Sequence, residues 1–245
     1  MIPRNAVCMR KPRPAVRLAA ALLTGLSLAV VAEAGTTAVP NQYATTSSGT
    51  SGLNTFIRDL GNPRTGQLLI AANELTGIPP GFFITGLTFR MFSGGTSFPP
   101  AGGATWADYT INLGPGGPLP GSTTFANNFA GPVTNVRSGP LTIPADSFPV
   151  GGSPNPFGVD ITFNTAYQYN GGNLCIEIRH PGSNITNAAT HFLEAVATTH
   201  PDYGTRFWSA TATGATATVG GVNTFTVVRL QIDPTPVELL GFGVE

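Results

Sequence analysis

The sequence predicts an all-β protein, a single antiparallel β-sandwich of jelly-roll type. Two observations support this prediction. About ten short segments carry alternating or continuous apolar residues, and clusters of glycine and proline separate them. Beyond the N-terminal leader, no stretch repeats its apolar residues at the helical period. Short strands at regular spacing with many turns are typical of sandwiches rather than of parallel α/β folds.

The segment at residues 174–179 is the clearest predicted strand and the one around which the domain is organised. Its three large aliphatic residues occupy alternate positions and share one face, whereas Cys175, Glu177 and Arg179 share the other face. We expect the aliphatic face to lie in the core and the other face to meet water. The preceding Asn-Gly-Gly at 170–172 provides a turn.

Residues 1–34 have the composition of a secretory signal peptide. Five basic residues precede or open an apolar run at 18–31, and Ala32-Glu33-Ala34 matches a small-x-small cleavage site. The apolar run has about fourteen residues, which is too short for a helix that spans a bilayer. We therefore expect a secreted chain that begins at Gly35 and has no stable membrane insertion after cleavage.

The exported chain carries few charges. Seven arginines, eleven acidic residues and no lysine remain from Gly35 onward, so the formal net charge is −4. Because no basic patch is available to neutralise phosphates, the composition argues against a nucleic-acid partner. Cys175 is the only cysteine left, and it is either an ordinary strand residue or a site for an intermolecular bridge.

The elements after the leader are predicted in the following order. Residues 35–55 are rich in Thr, Ser, Gly and Ala without periodicity, which indicates a flexible lead-in, with a first edge strand at its end as the alternative for its last residues. The sandwich domain is predicted over residues 56–232, and residues 233–245 are predicted to form a C-terminal tail. Strands are expected at 64–75, 82–92, 106–113, 133–143, 157–163, 174–180, 191–197, 205–213 and 225–232, with a short helix or turn at 122–130. A single helical turn is the alternative for 72–75, and Gly139-Pro140 breaks the strand at 133–143.

Isolated charges stand on the predicted outward faces of these strands. Cross-strand pairing and solubility explain them, at roughly 1 kcal/mol or less for each pair. The residues concerned are Arg90, Asp108, Asp160, Glu177, Arg179 and Arg229.

No motif for catalysis is visible. The sequence has no Gly-x-Ser-x-Gly elbow, no phosphate-binding glycine motif and no EF-hand loop. His180 and His191 flank a predicted hairpin loop, but a metal there would need a carboxylate partner, and His200 lies roughly 20 Å further along. We therefore expect surface or rim histidines and no metal or other cofactor. The acidic residues are scattered, so sequence spacing identifies no glycosidase pair.

One candidate ligand site consists of Trp106, Asp108 and Asn112. If residues 106–113 form one strand, its alternation buries the tyrosine and aliphatic residues and turns these three side chains outward. An exposed ring beside an acid and an amide suits stacking on the apolar face of a sugar, so extracellular polysaccharide is the candidate partner. The alternative is that a loop covers Trp106.

Five segments of the domain form a recognisable set. They are Gln-Leu-Leu-Ile-Ala-Ala at 67–72, Ile-Thr-Gly-Leu-Thr-Phe-Arg at 84–90, Ile-Asn-Leu at 111–113, Ser-Thr-Thr-Phe-Ala-Asn-Asn at 122–128 and Gly-Asn-Leu-Cys-Ile-Glu-Ile at 172–178. In this order they resemble a group of bacterial exported proteins, many of which carry a PEP-CTERM sorting tail. The resemblance implies export and a β-sandwich, and it implies no catalytic residues. Pro236-Val237-Glu238 is not followed by an apolar span or an arginine cluster, so we expect a released protein.

Two classes of function remain. The first is a secreted, non-enzymatic exoprotein of the bacterial cell surface or extracellular matrix, with glycan binding as its candidate activity. The second is a secreted hydrolase that acts on polysaccharide, because a sandwich can carry an enzyme without a local sequence signature. The missing motifs favour the first class.

Overall fold

The structure is a computed structural model that describes residues 34–49 and 51–234. These residues contain fifteen strands and five short 3₁₀ helices, and the prediction of an all-β fold is confirmed. The strands are β1 (Gly35–Val39), β2 (Ser51–Leu53), β3 (Arg64–Ile70), β4 (Phe83–Phe89), β5 (Ala104–Trp106), β6 (Thr110–Pro115), β7 (Thr134–Arg137), β8 (Leu141–Ile143), β9 (Ile161–Gln168), β10 (Leu174–His180), β11 (Leu193–Val196), β12 (Phe207–Thr213), β13 (Gly221–Val222), β14 (Phe225–Thr226) and β15 (Val228–Asp233). The 3₁₀ helices are Asn41–Tyr43, Thr55–Ile57, Ala72–Glu74, Phe125–Asn128 and Ala188–Thr190.

Two antiparallel sheets form the sandwich. The first sheet has the order β1-β15-β4-β9, and the second has the order β13-β12-β3-β10-β6-β7. Two smaller sheets have the orders β14-β11-β2 and β5-β8. Eight principal strands remain when these two sheets, β12 and β13 are set aside. Counted along the chain, the first, eighth, third and sixth of them form one sheet, and the second, seventh, fourth and fifth form the other. This is the strand order of a jelly roll, with β12 and β13 added to one edge of the second sheet.

The main core lies between the two sheets and is centred on β10, as the sequence predicts. Leu174, Ile176 and Ile178 are fully buried, and each contributes roughly 1.5–3 kcal/mol through burial. Their neighbours on β3 and β6 point the same way, because Ile176 pairs with Leu68 on one side and with Leu113 on the other. The first sheet closes this core with aliphatic and aromatic residues of β4 and β15.

The prediction of a flexible lead-in at residues 35–55 is wrong for the described part of this segment, whereas the edge strand considered for its end is found as β2. β1 pairs along its full length with β15, and β2 pairs with β11. The sandwich therefore extends from Gly35 to Asp233. The apolar residues that hold β1 in place lie on its distant partner β15, so the local composition of the lead-in gives no sign of them.

Two of the charges that were predicted to face water, Arg90 and Glu177, are buried. Arg90 is fully buried, and its Nε atom donates to Glu194, which is also buried. The same carboxylate accepts a hydrogen bond from the backbone of Ser48, and Arg90 donates to the carbonyl oxygen of Thr46 at 2.7 Å. This pair therefore holds the loop between β1 and β2 against the sandwich. Cross-strand pairing as predicted is found between Arg229 and Asp160, at 3.2 Å.

Two predicted segments fall outside the described residues. They are the signal peptide, apart from Ala34, and the C-terminal tail beyond residue 234. Within the residues that are described, no helix is long and apolar enough to cross a membrane.

Candidate functional site

The predicted exposure of Trp106 is wrong. The indole is fully buried in the main core, where its ring packs edge-on against Tyr109 and His180 and contacts Phe98. The predicted single strand is in fact two strands, because the chain bends between β5 and β6. The alternation of β6 therefore does not continue into β5, and Trp106 shares the buried side with Ala104.

Asp108 and Asn112 lie in different surroundings and do not form a site with Trp106. Asp108 is exposed at the bend, where its carboxylate accepts the backbone N–H of Gly139 at 2.7 Å and the hydroxyl of Thr110 at 3.0 Å. These bonds stabilise the bend that breaks the predicted strand. Asn112 lies on β6 and is partly exposed on the face of the second sheet that is turned away from the main core.

This outer face of the second sheet is only half exposed to water. A second, smaller core covers β12, β3 and part of β10, and it is built around Leu69, Phe125, Cys175 and Trp208. Phe125 belongs to the loop between β6 and β7, which folds back across the sheet. Cys175 is fully buried here, and burial together with the nearby charge of Glu177 raises the pKa of its thiol well above the usual value. The burial of Cys175 is incompatible with an intermolecular bridge in the folded protein.

A row of polar side chains crosses the outer face at the edge of this second core. Gln67, Glu177, Asn112 and Asn135 are register neighbours on β3, β10, β6 and β7. Their side chains are linked in sequence by hydrogen bonds of 2.9 Å, 3.1 Å and 2.9 Å. Exposure increases along this polar row, from the fully buried Gln67 to the exposed Asn135.

The Glu177 carboxylate is saturated with donors. Besides Gln67 and Asn112, it accepts two hydrogen bonds from Arg179, at 2.7 Å from Nε and 3.0 Å from Nη2. A carboxylate offers about four acceptor positions, so the protein itself fills them. Glu177 therefore acts as a fixed, neutralised anchor, and it has no acceptor position left for a proton-transfer role.

An open groove of about 380 Å³ lies beside this row. We call it the outer groove. Its apolar side is formed by Phe125, Phe129 and Val133, and its polar side is formed by Glu177 and Arg179. Phe129 is half-buried and Val133 is 49% exposed, so apolar surface is available to a ligand. The groove is completed by Ala126, Gly131 and Thr218.

The loop between β6 and β7, which we call the cover, is attached to the polar row by hydrogen bonds. The Gln67 amide donates to the backbone carbonyl of Phe125 at 3.1 Å and accepts from the side chain of Asn128 at 2.7 Å. Asn128 in turn bonds both the N–H and the carbonyl of Ser122. The predicted short helix at 122–130 is confirmed in part as Phe125–Asn128, and its function is to close the second core.

The histidines have separate partners, and the prediction of surface or rim histidines is wrong for His180. His180 is buried against Tyr109 and bonds Thr55 and Gly182, whereas His191 bonds Thr96. Burial lowers the pKa of His180 from 6.5 to about 4. In the described ranges, no group of three or more His, Cys, Asp or Glu side chains is placed to hold a metal ion.

Comparison with protein-family models, curated proteins and solved structures finds no match to this chain. The resemblance to exported proteins with a PEP-CTERM tail therefore stays a prediction. The site is described by its own geometry, namely a half-covered sheet face with an apolar groove and a polar row. Sequence reasoning placed Asn112 on the outward face correctly but missed Phe129, Val133 and Asn135. The signal for these three residues was weak, because they lie on a loop and a short edge strand.

Proposed function

We propose that this protein is a secreted, non-enzymatic bacterial exoprotein of the cell surface or extracellular matrix, and that it binds polysaccharide at the outer groove. The main support is the pairing of an open apolar wall with a row of amide and guanidinium groups. Sugar rings present apolar C–H faces and a rim of hydroxyl groups, so a sugar site needs both kinds of surface. The sequence of the leader supports export.

The anchor residues of this proposal differ from those that the sequence suggested. Trp106 is buried in the main core and Asp108 holds a bend, so neither has a place in the proposed site. Asn112 keeps its place as a member of the polar row. Phe129 and Val133 replace the indole as the apolar contact surface.

The arrangement favours binding over hydrolysis. Glycoside hydrolases generally use two carboxyl groups that flank the scissile bond, at about 5 to 9.5 Å from each other. Of the described residues that line the outer groove, one is acidic, and this residue, Glu177, is saturated by hydrogen bonds from the protein. A sugar chain in the groove would meet donors and apolar surface rather than an acid and a base.

A blocking substitution tests the proposal. Val133→Glu places a charged side chain in the lining of the groove, and Val159→Glu is the matched control, because Val159 is 40% exposed and does not line the groove. We would measure retardation in native gels that contain soluble polysaccharides and depletion by insoluble ones. The unmodified protein and Val159→Glu should be retained, and Val133→Glu should not. Failure of the unmodified protein to bind any polysaccharide, or equal retention of both variants, would overturn the proposal.

A further inference from the structure

The geometry points to a linear, uncharged polysaccharide chain as the ligand, lying across strands β10, β6 and β7 along the polar row. This inference rests on the proposed glycan-binding function and adds the class of glycan, its direction and the residues that read it. Two features of the outer groove support it. They are the balance of the charges that line the groove and the spacing of the amides in the polar row that passes beside it.

The charges of the groove cancel each other. Glu177 and Arg179 are the charged residues among the described lining of the groove, and two hydrogen bonds join them directly. A carboxylated or sulfated polysaccharide would have to compete with Glu177 for the guanidinium of Arg179. It would also approach a protein whose formal net charge is −4 from Gly35 onward. The site therefore offers hydrogen bonds without a net attraction for anions.

The amides of the row follow the spacing of the strands. Neighbouring strands lie about 4.8 Å apart, so Glu177 and Asn135, which are two strands apart, are about 10 Å from each other. This distance exceeds one sugar ring, so a ligand that contacts both the groove and Asn135 must be a chain of several sugars. Such a chain runs along the row, perpendicular to the strands.

Hydrogen-bonding capacity remains at both ends of this path. The Asn135 amide donates to Asn112 and to the carbonyl of Arg137, which leaves its Oδ1 acceptor without a partner among the described residues. Arg179 uses three of its five N–H groups within the described chain, two on Glu177 and one on Ala215. Acceptor and donor are the two groups that sugar hydroxyls need. Asn135 is therefore the specificity-determining residue for chain length.

The test compares oligosaccharides of different length and charge. Calorimetric titration would use disaccharides and hexasaccharides of cellulose, xylan and mannan, together with oligogalacturonate as the anionic probe. Asn135→Ala should weaken binding of the best uncharged hexasaccharide by about fivefold to tenfold, the loss expected for one or two hydrogen bonds, and should change disaccharide binding by less than about twofold. The control Asn187→Ala alters an exposed asparagine outside the groove and should leave both unchanged.

Salt dependence provides the second readout. Affinity for the uncharged hexasaccharide should change by less than about twofold between about 0.05 M and about 0.5 M NaCl, because no net charge interaction is made. Binding of the anionic probe in preference, with strong salt dependence, would overturn the inference and leave the proposed function intact. Equal affinity for the short and long uncharged chains, or an unaffected Asn135→Ala variant, would also overturn it. Absence of binding to every probe, together with a lack of retention in the gel assay, would remove the proposed function itself.

Discussion

The buried imidazole of His180 should make the stability of the protein depend on pH. The ring stacks on Tyr109 with centroids 5.6 Å apart and planes 1° apart. Its Nδ1 accepts the N–H of Gly182 at 3.0 Å, so the proton of the neutral ring is assigned to Nε2, which donates to the carbonyl of Thr55 at 2.8 Å. Protonation would place a charge among aromatic rings and remove the acceptor for Gly182.

The size of the effect follows from the difference in pKa. Burial, with smaller contributions from Arg64 and Arg58, lowers the pKa of His180 from 6.5 to about 4, against the opposing effect of the bond to Thr55. In the unfolded chain the pKa is about 6.5, so below that value the unfolded state binds a proton that the folded state does not. The stabilisation is fully present above about pH 6.5 and is lost as the pH falls to about 4. At about 1.36 kcal/mol per unit, the loss is about 2 kcal/mol at pH 5 and about 3 kcal/mol in total.

The assay is urea unfolding followed by tryptophan fluorescence at about pH 7 and about pH 5, a window in which most ordinary carboxylates stay ionised. The unmodified protein should lose about 2 kcal/mol of unfolding free energy across this window. His180→Gln should be less stable at pH 7 but lose much less on acidification. His200→Gln, which retains His180, should keep the full pH dependence. The reasoning is refuted if His180→Gln falls with pH as steeply as the unmodified protein.

Two further predictions concern buried side chains. Trp106→Ala should lower the free energy of unfolding by about 3–5 kcal/mol, since it leaves a large cavity in the main core, and a loss below about 1 kcal/mol in urea unfolding would contradict this placement. The thiol of Cys175 should not react with a thiol reagent in the native chain from Gly35 onward, because the residue is buried and the pKa of its thiol is raised. It should react fully in urea. Full labelling of the native protein, or a disulfide-linked dimer on a non-reducing gel, would show that the second core is open.

The fold could be predicted from the sequence because its strongest signals are local. The three aliphatic residues of β10 alternate within seven positions, and glycine and proline mark where strands end. Several predicted strands differ from the observed ones mainly at their ends, for example 205–213 against Phe207–Thr213. The jelly-roll type was predicted from the many short strands of alternating character in one domain of this length.

The errors about Cys175, Glu177 and Arg90 have one common physical cause, which is that exposure depends on what packs over a face. Alternation correctly placed Cys175 and Glu177 opposite the aliphatic residues of β10, but the loop that carries Phe125 covers that side. Likewise, Arg90 was expected to face water, but it is buried together with Glu194, and both residues contact the loop between β1 and β2. Trp106 failed for a different reason, because one bend at Asp108 reverses the relation between sequence parity and face.

The position of the outer groove follows from the division of the sheet face into a covered and an uncovered half. On β12 the outer residues are largely apolar, as Trp208 and Ala210 show, and Leu69 of β3 joins them under the cover. On β6 and β7 the face carries amides and stays open. An amphipathic ligand such as a sugar chain finds apolar and hydrogen-bonding surface together only along the boundary between these halves. Gln67 fixes that boundary, because its amide bonds the cover at Phe125 and the row at Glu177. Hydrogen bonds within the protein therefore fix the groove, so the proposed sugar binding would not have to order the cover.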